Sequence, residues 1–294
     1  LYRAAVVSLV LILLAGCRPA TPEPAAGESR VRASDGMVMV YVPAGAFVMG
    51  SDEAGIEAVL DLCPACQRDW FASERPQHRV YLDAFWMDRT EVTNTQYRKC
   101  VEAGWCRAVT ACHWGEPTYA DASKAGHPAI CVEWEDARTY CQWAGARLPS
   151  EAEWEKAARG TDGRLYPWGN KFDCSRGNFD DEVAIDDDVV PGGPGCDGYM
   201  HTAPVGSYPS GASPYGVLDM AGNVREWVAD WYASDFYAHS PGRNPAGPER
   251  GDRRVLRGGA WDTLLASVPC AGRNWNVPTY RDNDVGFRCA LSAR

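Results

Sequence analysis

The stretch RGGAWDTLLASVPCAGRNWN, residues 257–276, carries residue types that could line a site. Trp261, Arg273, Asn274 and Trp275 offer aromatic faces and hydrogen-bonding groups, and Cys270 offers a thiol. A soft metal such as Cu(I) needs soft ligands facing each other, so a single thiolate would bind it only weakly. The stretch therefore predicts a binding groove, and the alternative is that its aromatic and polar side chains are core packing.

Two acidic segments could bind a hard cation. LDMAGNVRE places Asp219 and Glu226 seven residues apart, and many aspartates crowd the segment 174–199. Calcium takes roughly six to eight oxygen ligands, and backbone carbonyls serve where a loop curls around the ion. The alternatives are a strand whose acidic groups are solvated or paired with Arg225 or Arg257, and an acidic loop in solvent.

Other catalytic signatures are missing from the sequence. The five histidines are scattered and form no HExxH motif, and there is no Walker loop, GxSxG elbow or Rossmann glycine pattern. The histidines are His78, His113, His127, His201 and His239. The sequence alone thus names no complete catalytic group.

The chain has 294 residues, with 29 Lys and Arg against 39 Asp and Glu, which gives a net charge of −10. A protein this acidic repels phosphate backbones, so we expect no nucleic-acid partner. The twelve cysteines indicate either a metal protein or an oxidising compartment.

The N-terminus favours the oxidising compartment. LYRAAVVSLVLILLAGC has a basic Arg3, a short apolar run and a lipobox that ends at Cys17. We therefore expect a lipoprotein signal peptide at residues 1–17, with lipidation at Cys17, a Pro/Ala/Glu-rich tether at 18–36 and one folded domain at 37–294. For the apolar run that ends at Cys17, the alternative is a buried helix. The predicted location is the bacterial cell envelope, at a membrane reached through the lipid anchor, in the outer membrane facing the periplasm or the exterior.

The elements that must position these residues are short. MVMVYVPAGAFVMG predicts a hairpin turning at 43–45, and RVYLDAFWMDR predicts one strand. Helices are predicted in EVTNTQYRKCVEAG, EDARTYCQWAG and LPSEAEWEKAARG, two of them with capping boxes at Thr93/Gln96 and Ser150/Glu153. Short strands follow at 224–231, 254–261 and 286–291. This pattern predicts a loop-rich α+β domain stapled by disulfides.

Several segments together resemble the formylglycine-generating enzyme (sulfatase-modifying factor) family. They are VYVPAGAFVMGS, DRTEVTNTQYRKC, HPAICVEWEDARTYCQWAGARLPSEAEWEKAARG, YPWGN, YGVLDMAGNVREWVADW, RVLRGGAW and DVGFRCA, in the family's order from about residue 37 to 292. The resemblance implies a single domain with a variant of the C-type-lectin-like fold. The same fold carries both enzymes and binding proteins, so activity stays open.

The resemblance also implies two calcium sites and one disulfide. The first calcium site would use Asp219, Gly222, Val224 and Glu226. The second would use Asn178, Phe179, Asp197 and Tyr199, with carbonyl oxygens at Phe179 and Tyr199. Cys141 and Cys289 match a family bridge. From proximity in the sequence we expect four further pairs, although spacing does not fix connectivity: Cys63–Cys66, Cys100–Cys106, Cys112–Cys131 and Cys174–Cys196.

Family enzymes oxidise a substrate cysteine with oxygen, using two thiolates that bind Cu(I). Here Thr263 stands where the first cysteine would be, Leu265 lies near the second position, and Ala260 replaces a serine. Cys270, left over from the pairs, matches a family cysteine whose partner position is Ala158. We therefore expect no copper, and a non-catalytic module that binds a peptide, protein or glycan in the old groove. The alternative is an oxidoreductase with altered chemistry, in protein cysteine oxidation or siderophore-type maturation.

Overall fold

The computed structural model describes residues 22–179, 191 and 195–293. The predicted signal peptide with Cys17, and most of the aspartate-rich loop, lie outside these residues. In the described part of the chain, no helix is both long and apolar enough to cross a bilayer. This part forms an α+β fold of short elements joined by long loops.

The strands are β1 Ser29–Val31, β2 Val38–Val42, β3 Gly45–Met49, β4 His78–Leu82, β5 Phe85–Asp88, β6 Arg225–Trp231, β7 Arg254–Arg257, β8 Arg273–Asn276, β9 Val285–Phe287 and β10 Ala290–Ser292. The α-helices are α1 Glu53–Leu60, α2 Asn94–Glu102, α3 Trp134–Trp143 and α4 Glu151–Arg159. Short 3-10 helices cover Arg68–Glu74, Ala122–Lys124, Cys174–Arg176, Pro209–Gly211, Phe236–Ala238 and Leu265–Ser267.

Both predicted capping boxes are present. At the start of α2, Thr93 Oγ1 accepts from the Gln96 amide at 3.2 Å, and the Gln96 side chain accepts from the Thr93 amide at 2.9 Å. At α4, Ser150 and Glu153 make the same exchange at 3.2 and 2.8 Å. Gly160 ends α4 at φ 70°, where a side chain would be strained. Local sequence therefore fixes these helix ends.

Two predictions about the first strands are wrong. The expected hairpin around 43–45 does not form, because β2 pairs with β1 and β5 while β3 pairs with β4 in another sheet. The single strand expected in RVYLDAFWMDR divides into β4 and β5, which also lie in different sheets. An apolar run shows that a segment is buried, but its pairing partner is non-local and does not follow from the run.

The third sheet has the order β8-β7-β6-β9, and only its β6–β9 pair is parallel. It is buried on both faces: Trp227 and Leu256 belong to one hydrophobic cluster, and Val228 and Val255 belong to another. Strand β7 ends at Arg257, earlier than predicted, because the chain turns at the two glycines that follow. The turn that follows β7 in this sheet carries Trp261, a residue of the candidate site.

The folded part begins earlier than the expected tether boundary at residue 36. Ser29–Val31 pairs with β2, and Arg32 forms buried ion pairs with Asp35 at 2.6 Å and Asp88 at 2.7 Å. A buried arginine is held in place by such carboxylates, so this part of the segment is structural.

All five predicted cysteine pairs are disulfides in the structure. Cys141–Cys289 joins α3 to the residues between β9 and β10, with Cα atoms 5.6 Å apart. Cys270, the cysteine that the pairing left over, is free and fully buried.

Candidate functional site

The turn after β7 places Trp261 at the surface and Thr263 inside. Gly258 and Gly259 have φ of 97° and 70°. A Cβ atom on Gly259 would come within 3.0 Å of the Thr263 hydroxyl oxygen. Glycine is therefore needed here both for the backbone conformation and for the close approach.

The Thr263 hydroxyl is occupied within this turn. Its Oγ1 accepts from the Ala260 amide at 2.7 Å and donates to the Ala260 carbonyl at 2.9 Å, and the residue is 3% exposed. Leu265 is buried in a hydrophobic cluster with Val268. Neither Thr263 nor Leu265 offers a group to a ligand.

Cys270 is buried in the hydrophobic core beside α4. Burial raises the pKa of its thiol to about 12, so the thiolate is scarce at neutral pH. The other described cysteines are all in disulfides. Since the thiolate is the metal ligand and nucleophile, the described part of the chain presents no ready thiolate.

Arg273 does not belong to a groove. Its guanidinium donates to both carboxylate oxygens of Glu151, at 2.7 and 3.0 Å, and to the Ser73 carbonyl at 2.6 Å. Arg257 also pairs with Glu151, at 3.3 Å. The result is a buried ion network that ties β7 and β8 to α4.

Trp275 and Asn274 lie on β8, an edge strand of its sheet. Trp275 packs under the Arg253 guanidinium at 3.5 Å and beside Tyr232. The Asn274 side chain accepts from the backbone amide of Trp275 at 2.7 Å. The structure thus separates the predicted groove residues, and Trp261 is the one of them that lines the cleft beside His201.

That cleft has a volume of 340 Å³ and mixed walls. It is lined by Gly115, Glu116, Thr118, Lys124, Ile130, His201, Thr202, Trp261 and Asn283. The His201 ring meets the Trp261 indole edge to face, with centroids 4.7 Å apart, and the indole nitrogen donates to the Asn283 carbonyl at 3.3 Å. Apolar surface beside a few polar groups is the usual composition of a small-ligand site.

The polar groups of the cleft differ in how far they are already satisfied. Thr202 bonds to the ring of the buried His127 at 3.1 Å, and burial lowers the pKa of His127, which favours the neutral ring. Glu116 and Lys124 form no ion pair with any described residue. Both therefore remain available to a ligand.

The residues of the predicted calcium site at Asp219 surround a buried cluster of carboxylates. Glu226 is held by Arg288, while Asp219 accepts from the Gly206 amide at 2.6 Å. Burial, and then the neighbouring Asp219, raise the pKa of Glu91. The carboxylates of Glu91, Asp219 and Glu226 thus all interact with one arginine, Arg288.

Gly222 and Val224 belong to the same turn. A Cβ atom on Gly222, at φ 84°, would lie 2.1 Å from the Asn178 carbonyl oxygen. Val224 is fully buried. This close packing brings the two predicted calcium sites next to each other.

In the second predicted calcium site, Asp197 is hydrogen-bonded to the backbone of two other predicted ligands, Phe179 and Tyr199. Its carboxylate accepts from the Phe179 amide at 2.7 Å and from the Tyr199 amide at 2.8 Å. Asn178 is fully buried, and its Oδ1 has no hydrogen-bond partner among the residues that the structure describes. An orphaned buried oxygen is costly unless something binds it, so this set fits a hard cation.

No three His, Cys, Asp or Glu side chains converge on a common metal position within the described residues. A calcium site built on one carboxylate, an amide oxygen and carbonyls does not require such a group. The second predicted set, with Asp197, Asn178 and the carbonyls of Phe179 and Tyr199, is of that kind, whereas the first set has two carboxylates, Asp219 and Glu226.

Sequence reasoning missed most of the cleft. In the sequence His201 is only one of five scattered histidines, and no motif singles out Glu116 or Lys124. One signal was present: five of the nine lining residues lie between Cys112 and Cys131. A disulfide-closed segment of this length is a compact unit, and its inner side forms one wall.

Comparisons with known proteins agree with the fold. Residues 25–293 match the family model described as the sulfatase-modifying factor enzyme 1-like domain. A formylglycine-generating enzyme of Streptomyces coelicolor is 34% identical over 93% of this chain and 96% of its own. The inactive C-alpha-formylglycine-generating enzyme 2 of Bos taurus is 32% identical over 87% and 88%. Among solved structures, PvdO from Pseudomonas aeruginosa has a TM-score of 0.72 at 28% identity, over 92% of this chain and 100% of that one.

Proposed function

The chain belongs to the sulfatase-modifying factor family, and on that basis we propose that it is a ligand-binding module of the bacterial cell envelope. In this proposal it performs no copper-dependent thiol oxidation. Its ligand is a peptide, a protein or a glycan, and it occupies the cleft at Trp261. Calcium stabilises the loops that support this cleft.

The state of the cysteines carries the proposal. Copper-dependent oxidation needs two thiolates facing each other. Ten described cysteines are tied up in five disulfides, and Cys270 is buried with a raised thiol pKa. The Thr263 hydroxyl is bound within its own turn. A bovine relative of similar identity is itself named inactive, so loss of the activity is compatible with this family.

The composition of the cleft supports binding. Trp261 and Ile130 supply apolar surface, and Glu116, Lys124 and Asn283 supply groups of different charge and hydrogen-bonding type. Burying a ligand there would gain from the apolar contact, while the polar groups would fix its orientation.

Calcium fits the second ligand set best. Asn178 Oδ1 and the Asp197 carboxylate would hold the ion together with the Phe179 and Tyr199 carbonyls. A bound ion would satisfy the orphaned Asn178 oxygen. Near Asp219 the case is weaker, because Glu226 already has Arg288 as a counter-ion.

An oxidation assay tests the proposal. The purified domain is incubated in air with a Cys-x-Pro-x-Arg peptide, with and without Cu(I), and the peptide mass is measured; the Streptomyces coelicolor relative serves as the positive control. We expect no aldehyde product from this protein. An aldehyde product that is lost in Cys270→Ser would show instead that the protein is a thiol oxidase that uses Cys270.

A second assay tests the cleft. Trp261→Ala should lower the binding of whichever ligand is found on peptide and glycan arrays, because it removes the indole that forms the apolar wall. Trp70→Ala is the matched control, since Trp70 is 45% exposed and does not line the cleft. Equal binding by the two variants would count against this site.

The envelope location depends on Cys17, which lies outside the described residues. A palmitate analogue should label the wild-type protein in cells and should not label Cys17→Ala. Equal labelling of both would remove the anchor from the proposal.

A further inference from the structure

The Cys112–Cys131 disulfide closes the segment that forms one wall of the cleft. Its two cysteines are 19 residues apart, with Cα atoms separated by 5.0 Å. The cleft residues inside this segment are Gly115, Glu116, Thr118, Lys124 and Ile130. The integrity of the cleft therefore depends on how the segment is held.

The second half of the segment is well anchored without the disulfide. The Asn94 side chain donates to Thr118 Oγ1 at 3.0 Å and to the Lys124 carbonyl at 2.9 Å. The backbone amide of Asn94 also bonds to the carbonyl of His127, at 3.0 Å. These contacts fix residues 118–127 against α2.

The first half, residues 112–117, has fewer anchoring contacts: besides the disulfide, His113 exchanges hydrogen bonds with the backbone of Arg281 and its ring lies 5.8 Å from the Tyr280 ring. It contains no helix or strand. The His113 amide donates to the Arg281 carbonyl at 2.9 Å, and Gly115 packs so closely on Asn283 that a Cβ atom would lie 2.1 Å from its side-chain nitrogen. Few backbone hydrogen bonds mean a low cost of local opening, so Cys112 is the main tether here.

The two cysteines of this bridge differ in exposure. Cys112 is partly exposed, whereas Cys131 is 3% exposed and sits at φ 61°, in the left-handed region that is unfavourable for a side chain. In Cys141–Cys289, by contrast, both residues are fully buried. A reductant can therefore reach the bridge at Cys112 without unfolding the core.

We propose that the Cys112–Cys131 disulfide is a thiol-reactive modification site that controls the cleft, and that its reactant is a dithiol reductant. A thiolate of the reductant attacks Sγ of Cys112, the bond between the two protein sulfurs breaks, and Cys131 leaves as a thiolate and takes up a proton. The second thiol of the reductant then attacks the mixed disulfide and releases Cys112. The reductant is oxidised to its disulfide by two electrons, and the protein gains two thiols.

Reduction frees residues 112–117, so the cleft loses Gly115 and Glu116 from its wall and ligand binding falls. This consequence rests on the proposed function, because it takes the cleft as the ligand site. The opening of the segment does not depend on any ligand, and the two can be tested separately.

The experiment titrates the folded protein with dithiothreitol, blocks new thiols by alkylation and maps them by mass spectrometry. We expect Cys112 and Cys131 to be alkylated at a lower dithiothreitol concentration than Cys141 and Cys289. Hydrogen exchange at the His113 amide, which donates to the Arg281 carbonyl, should then become faster by about an order of magnitude or more, with strand β6 unchanged. An intact Cys112–Cys131 bridge after Cys141–Cys289 has opened would overturn the proposal.

Matched variants guard against general unfolding. The double variant Cys112→Ser/Cys131→Ser should show the fast exchange at the His113 amide without any reductant. Cys63→Ser/Cys66→Ser, which removes a bridge that does not border the cleft, should keep the slow exchange at this amide. Equal exchange in the two variants would also overturn the proposal. If the segment opens but array binding persists, the redox-controlled opening stands and the cleft is not the ligand site.

Discussion

The guanidinium group of Arg288 holds the Glu226 carboxylate through two hydrogen bonds, 2.7 Å from Nε and 2.6 Å from a terminal nitrogen. Both residues are fully buried, and the Trp154 indole nitrogen donates to the same carboxylate at 2.8 Å. The sequence had suggested Arg225 or Arg257 as the partner of this carboxylate. The observed partner comes from the segment after β9, so the pair fastens the C-terminal part of the chain to β6.

Glu226→Gln should destabilise the fold. Removing one partner of a buried ion pair costs about 3–5 kcal/mol, because the other charge stays buried without a counter-ion. Since Glu91 and Asp219 also interact with Arg288, we expect a loss near the lower end of this range. Urea unfolding measures it, with the exposed Glu249→Gln as control. Equal midpoints for the two variants would show that the pair adds no stability.

Calcium should raise the melting temperature through the Asn178 set. The ion would satisfy the buried Asn178 Oδ1, so a chelator should lower the melting temperature of the wild-type protein. Asn178→Ala should abolish this response, whatever its own melting temperature, and Asn276→Ala on strand β8 should keep it. A chelator response that survives Asn178→Ala would move the site to the Asp219 cluster, and a wild-type protein indifferent to chelator would argue against both sites.

Stability should fall as the pH rises from about 4.5 to 8, in part because of Glu74. Burial raises the pKa of Glu74 to about 8, although Ser51 donates to its carboxylate at 2.5 Å. A carboxyl group whose pKa is raised in the folded state stabilises the fold fully below its unfolded pKa and loses that contribution as the pH rises through the folded pKa. A pKa that is higher by one in the folded state than in the unfolded state corresponds to about 1.4 kcal/mol of stability.

Glu74→Gln tests this pH dependence, because the amide keeps the size of the side chain and cannot ionise. Its unfolding free energy relative to wild type should improve steadily between about pH 4 and about pH 8.5, an interval that brackets the pKa range of about 4.5 to 8. Asp230, whose pKa burial also raises to about 8, leaves some pH dependence in the variant. A difference between the two proteins that stays constant with pH would mean that Glu74 does not titrate in this range.

Local signals in the sequence predicted local structure well. The capping boxes at Thr93 and Ser150 gave the helix starts, because the bonds that make a cap join residues three apart. The sheets were predicted less well, since strands β2 and β3 follow one another in the chain and pair with different partners. The pairing of a strand is decided by distant segments, and one sequence does not encode it in any short window.

The candidate site shows the same contrast between local features, which the sequence predicts, and long-range contacts, which it does not. Trp261 was identified because it follows a glycine turn, but His201 meets its ring from a loop 60 residues away. Arg273 was assigned to the groove because a polar side chain beside aromatics suggests a surface. In the fold its side chain forms an ion pair with Glu151 and is buried. Whether an arginine faces solvent or a buried carboxylate depends on a partner that the sequence does not identify.

Ala158→Cys should form a sixth disulfide with Cys270 and stabilise the protein. Both positions are fully buried in the same hydrophobic cluster, and the resemblance to the family places a cysteine partner at Ala158. A bridge closing a loop of about 100 residues gives roughly 4.7 kcal/mol in the chain-entropy model, and strain in a packed core reduces that gain. We therefore expect a rise in melting temperature, with the new bridge found by non-reducing peptide mapping. The double variant Ala158→Cys/Cys270→Ala carries the added thiol without a partner and should melt below wild type. Two free thiols in Ala158→Cys, together with a lowered melting temperature, would mean that this pair of positions does not have the bridging geometry the family resemblance implies.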